Sequence, residues 1–184
     1  LTRWHDEIWG LVVNGACKYG DMDHLKKYLP AEVTIRYLDN YSLIAVQGPK
    51  ARRILSELIP EAEKLIFMRS TQTSWNGHYI TLSCCGYTGE DGYEISIAKQ
   101  FARELAEALT ELNETAWVGL GARNSLRLET GLCLYGNDLT TDTTPIEADL
   151  LWSIQKRRRI DGGFLGAEII LKQIADGSPR KRVG

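Results

Sequence analysis

Thr73-Ser74-Trp75-Asn76-Gly77-His78-Tyr79-Ile80-Thr81-Leu82 decides how this chain folds. Asn-Gly between two segments rich in β-branched and aromatic residues is the strongest short-range hairpin signal, because both residues tolerate the positive φ of a tight primed turn. The stretch therefore commits the middle of the chain to antiparallel sheet. Downstream, Gly92 to Ala98 alternates Tyr93, Ile95 and Ile97 with polar residues, which predicts another strand. Its apolar residues share one face, so Glu94 and Ser96 share the other. Phe101 to Leu112 then carries Phe101, Leu105, Ala108, Leu109 and Leu112 at helical spacing.

Upstream, Tyr41 to Val46 is an apolar run that reads as a strand. Gln47-Gly48-Pro49 turns the chain, and Pro49 suits the start of a helix running to Leu58. Val33, Ile35 and Tyr37 alternate with polar residues, which predicts a half-buried strand. Asp21 to Leu29 reads as a helix with Asp21 as N-cap and Pro30 as its stop. Ile8 to Val13 reads as a strand ending at Asn14-Gly15, and Arg3 to Glu7 as the polar tip of a hairpin. Toward the other end, Arg123 to Leu134 predicts a long helix, and Pro145 opens a short one through Leu151 to Ile154.

Strands and helices do not alternate strictly, so the class is α+β. A split, ferredoxin-like β-α-β sheet interleaved with a second α+β domain explains the order. The chain has 184 residues, 24 acidic and 22 basic side chains, and a net charge of -2. One large domain or two small ones fit that length. Near-neutral charge argues against a dedicated nucleic-acid binder, whose phosphate contacts need a basic excess. No apolar run approaches the ~20 residues of a membrane helix. Cys17, Cys84, Cys85 and Cys133 form no C-x-x-C pair, and with three scattered histidines they suggest no metal site. Reduced, buried thiols are the expectation. The chain opens at Leu1-Thr2-Arg3 without an initiator Met and stops where an apolar stretch begins, so both ends read as cut.

Chemistry concentrates in Gly86-Tyr87-Thr88-Gly89-Glu90-Asp91-Gly92-Tyr93-Glu94. Three glycines in seven residues let a backbone turn tightly and approach a ligand. The spacing is not that of a dinucleotide loop, and a strand follows it rather than a helix. A hairpin loop with a solvated acidic tip is the plainer alternative. Glu94, at the mouth of a strand, could accept two hydrogen bonds from an amidine-like edge such as that of a pterin. Arg123 at a helix start is disfavoured by the dipole, which suggests a partner, with an Arg123–Arg127–Glu129 surface network as the alternative. Trp152 could stack on a ligand or belong to a core. Lys156-Arg157-Arg158-Arg159 reads as a solvated patch or a surface for an acidic partner.

Together Cys85–Gly92, Gly121–Glu129, Gly131–Asp138, Thr143-Thr144-Pro145 and Lys156–Arg159 resemble the T-protein family, the aminomethyltransferases of the glycine cleavage system. Val12-Val13-Asn14 and Gln47-Gly48-Pro49 fit the same pattern. The resemblance implies a reaction. A one-carbon unit passes from the aminomethylated lipoyl arm of the H-protein to tetrahydrofolate, a cosubstrate. Ammonia, methylene-tetrahydrofolate and the dihydrolipoyl carrier result. It implies Glu94 as the pterin-edge carboxylate, Tyr87 and Trp152 as pocket walls, Arg123 as the substrate arginine and Asn14 as a polar strand-end residue near the pterin. Lys156, Arg157, Arg158 and Arg159 would dock the carrier.

The family's catalytic aspartate would fall about three residues before Leu1, by strand register. No catalytic residue is therefore assigned within the chain, and the piece alone is expected to be inactive. The implied domains are a folate-binding ferredoxin-like body over 1–35 and 58–114, part of a first domain over 36–57 and 115–166, and the start of a C-terminal β-barrel domain over 167–184. A monomer is expected, in the bacterial cytoplasm by preference or the mitochondrial matrix. Alternatives within the shared fold are a folate-dependent demethylase, the folate domain of an amine dehydrogenase, and a folate-binding iron–sulfur assembly factor. The last has its cysteine directly before the Tyr-x-Gly turn, where this chain has Gly86.

Overall fold

The computed structural model describes residues 1–183 and divides the chain into two compact units, Leu1–Thr130 and Gly131–Gly184. In the first, β1 (Thr2–Arg3) and β2 (Trp9–Gly10) form a small hairpin. Helix α1 (Lys18–Tyr28) follows, then β3 (Tyr41–Gln47) and α2 (Ala51–Ser56). A 3-10 turn at Pro60–Glu63 leads to β4 (Ser70–Trp75), β5 (His78–Cys84) and β6 (Gly92–Ala98). Helices α3 (Ala102–Glu111) and α4 (Leu120–Glu129) complete the unit.

The sheet is antiparallel throughout, in the order β3-β6-β5-β4. The Asn-Gly hairpin forms as the sequence predicts. Trp75 pairs with His78, and Asn76 and Gly77 both take positive φ, at 48° and 77°. Such a turn follows the right-handed twist of its strands. Alternation along β6 sends Tyr93, Ile95 and Ile97 to one face, where all three are fully buried. They join Ile80, Leu82 and Cys84 of β5, Ala51 and Leu55 of α2, and Leu105 and Leu109 of α3 in one core. On the other face, Glu94 sits in a cross-strand row between Ala45 of β3 and Ser83 of β5.

Several expectations need correction. Val33 to Tyr37 is not a strand, and Val33 and Tyr37 are both exposed. An alternating pattern becomes a strand only when a neighbouring edge supplies its hydrogen bonds, and here Val33 N–H turns back to the Pro30 carbonyl. The strand expected over Ile8 to Val13 shrinks to Trp9–Gly10. Helix α1 starts at Lys18, so Asp21 lies within its first turn and is not its cap. Helix α4 spans Leu120–Glu129 and stops before Leu134, with Gly131 in the left-handed region at φ 70°. The segment 36–57 does not stand apart from 58–114, because β3 pairs with β6 along its whole length.

In the second unit the backbone is mostly turns. The helix expected from Pro145 is a set of turns and a 3-10 segment at Leu151–Ser153. Helices α5 (Arg158–Asp161) and α6 (Ala167–Asp176) follow. The turn at Thr144 is a reciprocal cap. Thr144 N–H donates to the Glu147 carboxylate at 3.0 Å, and Glu147 N–H donates to Thr144 Oγ1 at 3.1 Å. Glu147, only 8% exposed at its side chain, also pairs with Arg180 at 3.1 Å. Those contacts hold its carboxyl below the usual range, the Thr144 backbone bond being the first cause. Arg182 donates to Cys133 Sγ at 2.8 Å. No helix of the described residues is long and apolar enough to cross a membrane.

Candidate functional site

The segment between β5 and β6 is shaped by one side chain. Gln47, the last residue of β3, donates through Nε2 to the Cys85 carbonyl at 3.2 Å and the Tyr93 carbonyl at 3.3 Å. Its Oε1 accepts from the Thr88 hydroxyl at 3.5 Å. The Thr88 hydroxyl in turn accepts from Glu90 N–H at 3.4 Å. A methyl group on Gly86 or on Gly92 would run into the Gln47 carboxamide. A side chain at either glycine would displace the flexible end of Gln47, so their role is to leave room for the carboxamide and neither has positive φ.

Two of the expected site residues meet. The Arg123 guanidinium lies 4.8 Å from the centre of the Tyr87 ring, in cation–π geometry. Arg123 is the fourth residue of α4, at the end of its first turn, where the effect of the dipole is falling off, and the Tyr87 ring faces its charge. Arg127 is not part of a surface network: it is buried and donates to Asn124 at 2.9 Å.

Glu94 is half-buried, with a small neighbour on each side in its row. Cys85 lies beside it. Burial, and then the Glu94 carboxylate, push the Cys85 thiol up to about 12, so it stays protonated at neutral pH. All four cysteines are free, but only Cys84 is buried. Asn14 is exposed and accepts from Ala16 N–H at 3.0 Å, a local turn before α1.

Sequence reading missed the Arg52 cluster. Arg52 pairs with Asp91 at 3.0 Å and donates to the carbonyls of Ala62, Glu63 and Leu65. It also lies 5.6 Å from the Tyr93 ring, whose hydroxyl donates to the Ala62 carbonyl at 2.8 Å. Burial pushes the Tyr93 phenol up to about 12. A bidentate-capable Arg just after a turn was the only signal available.

In the second unit, Trp152 is 72% exposed. The basic run is divided in its tasks. Arg158 donates to the carbonyls of Gly162 and Gly163, and Arg159 to those of Ile154 and Leu151. Lys156 and Arg157 are exposed. Among the described residues no group of His, Cys, Asp and Glu could hold a metal ion.

Comparison with known proteins adds identity. The family model for the GCVT N-terminal domain matches residues 1–158. The mitochondrial aminomethyltransferases of Mesembryanthemum crystallinum and Pisum sativum are each 48% identical over 193 aligned residues, covering all of this chain and 47% of each relative. The crystal structure of the glycine cleavage system aminomethyltransferase T from Bartonella henselae aligns with a TM-score of 0.85 at 40% identity. That alignment covers 92% of this chain and 46% of the other. The chain spans about half the length of the relatives it matches. Motifs, mixed α/β architecture and family match agree, and the chain belongs to the GCVT family, that of the glycine cleavage T-proteins.

Proposed function

We propose that the protein carrying this sequence is a tetrahydrofolate-dependent aminomethyltransferase of glycine cleavage. It takes the one-carbon unit from the aminomethylated lipoyl arm of H-protein. A pterin nitrogen of tetrahydrofolate attacks the methylene carbon, the carbon–nitrogen bond to the amine breaks and ammonia leaves. A second nitrogen of the folate then bonds to the same carbon as the carbon–sulfur bond breaks, its proton passing to the thiolate, which returns the dihydrolipoyl thiol and gives methylene-tetrahydrofolate. Binding and orientation account for much of the acceleration in such a transfer.

One observation carries this reading: Glu94 lies between Ala45 and Ser83 on the sheet face away from the core. A carboxylate between two small residues suits the flat, donor-rich edge of a pterin, which needs two acceptor oxygens and room beside them. The Tyr87–Arg123 pair supplies an aromatic wall and a fixed cation for the same pocket. Asn14 and Trp152 belong to this reading as further pocket residues, and Lys156 to Arg159 as the surface for an acidic carrier. The ferredoxin-like description of the sheet, a further β domain entered through 167–184, and a monomeric state belong to it as well. The mitochondrial names of the plant relatives support a matrix location in a eukaryote, with the bacterial cytoplasm as the counterpart.

The test is Glu94→Gln in the protein carrying this sequence. Tetrahydrofolate affinity is expected to fall by ~1–3 kcal/mol, the range for a lost charged hydrogen bond. Unchanged affinity by calorimetry would refute the role of Glu94. Absence of folate-dependent ammonia release from aminomethylated carrier, with turnover of dimethylglycine or sarcosine instead, would refute the reaction.

A further inference from the structure

Gln47 belongs to a turn sequence and touches neither Tyr87 nor Glu94 in any contact described above, yet it ties both ends of the loop that separates them. Its Nε2 spans the Cys85 carbonyl, two residues before Tyr87, and the Tyr93 carbonyl, one residue before Glu94. Its Oε1 takes the hydroxyl of Thr88, a buried residue next to Tyr87. One carboxamide therefore holds two backbone carbonyls and one side-chain hydroxyl of the 85–93 segment. The register gives it no other place to be: Gln47 is opposite Gly92 at the end of the β3–β6 ladder. Gly86 and Gly92 lack the methyl groups that would push it out.

We infer that Gln47 is a positioning residue, which sets the span between the Tyr87–Arg123 pair and the Glu94 carboxylate. The inference rests on the folate reading. A planar ligand held at both places needs that span fixed to a fraction of an ångström, since misplacement by ~1 Å costs on the order of a hundredfold in oriented chemistry. Gln suits the task where Glu or Leu would not. Its amide has two N–H donors for two carbonyls and an oxygen for a hydroxyl, all in one rigid plane.

The experiment uses the protein carrying this sequence, with tetrahydrofolate as the probe. Gln47→Met keeps the volume and removes every polar atom. Its dissociation constant for tetrahydrofolate is expected to rise about tenfold, one lost fixed span at the net worth of a hydrogen bond. Ile80→Val, a change in the core, serves as the control for stability, and is expected to lower the melting temperature while leaving that constant unmoved. If Gln47→Met binds as the unchanged protein does, the inference is overturned while the folate reading stands. If the unchanged protein does not bind tetrahydrofolate, the folate reading falls first and the inference with it. Should Gln47→Met fail to fold, Gln47→Ala carries the same measurement. A second readout needs no ligand. Gly86→Ala is expected to lower the melting temperature in the unchanged background and to do little on top of Gln47→Ala, where the shorter side chain leaves space. Additive losses would overturn the clamp itself.

Discussion

Replacing Arg52 with Met tests the loop and core in one step. Arg52 makes its shortest carbonyl bond to Leu65, at 2.8 Å, and longer ones of 3.2 Å to Ala62 and Glu63. The Glu63 carbonyl belongs to an exposed residue, where water can replace the guanidinium. The Ala62 carbonyl is in a fully buried residue but keeps the Tyr93 hydroxyl as a donor. The Leu65 and Ala62 bonds then contribute about 1 kcal/mol each, toward the lower end for a charged donor. The ion pair with Asp91 adds under about 1 kcal/mol, because both side chains are about a third exposed and solvent screens them. The expected loss is thus about 2–3 kcal/mol. Native-state hydrogen exchange of β5 and β6 amides reads this unit by itself, without assuming that both units unfold together. Arg52→Lys should recover only part, since one ammonium cannot reach three carbonyls and a carboxylate. A loss below about 0.5 kcal/mol for Arg52→Met would refute the reasoning, since it is the scatter of ordinary surface substitutions.

Gly77→Ala should cost about 1 kcal/mol in the same exchange measurement, because φ at this turn is positive and a Cβ is strained there; no loss would mean the hairpin adopts another turn. Glu147→Gln addresses pH. The folded carboxyl lies below its ordinary range, so its contribution to stability is present above the unfolded value and fades as pH falls through the folded one. The variant should therefore be less stable at neutral pH and show a shallower loss as pH falls below the ordinary glutamate value of about 4.5. Parallel acid limbs in thermal unfolding of the two proteins would remove Glu147 from the account.

The parts of the fold that sequence made legible are local. The Asn76-Gly77 turn, the two faces of β6 and the apolar stripe of α3 each arise within a dozen residues and formed as expected. What failed to form needed a partner that no local pattern can specify, as at Val33 to Tyr37. What went unseen joins distant residues: Gln47 reaches across 38 and 46 positions, and Arg180 meets Glu147 across 33. Within the candidate site, motif resemblance singled out Tyr87 and Arg123 separately, and their contact was not foreseen, because no periodicity relates a loop residue to a helix residue more than thirty positions on. Helix α4 starts three residues before Arg123, so the dipole acts on that charge more weakly than a helix starting at Arg123 would imply.

On the docking role proposed for it, the basic run at 156–159 would have a kinetic consequence. Charge acts at long range whether or not a side chain is occupied, so all four residues would speed the approach of an acidic partner and make that rate fall with salt. Short-range contact is another matter. Arg158 through Nη1, and Arg159 through Nε and Nη2, are already tied to the backbone of their own unit, so Lys156 and Arg157 are the freer to turn toward a partner and form the bonds that slow departure. Association and dissociation would thus be governed by different subsets of one four-residue stretch, and a substitution at Arg159 would disturb the turn before it disturbed any complex.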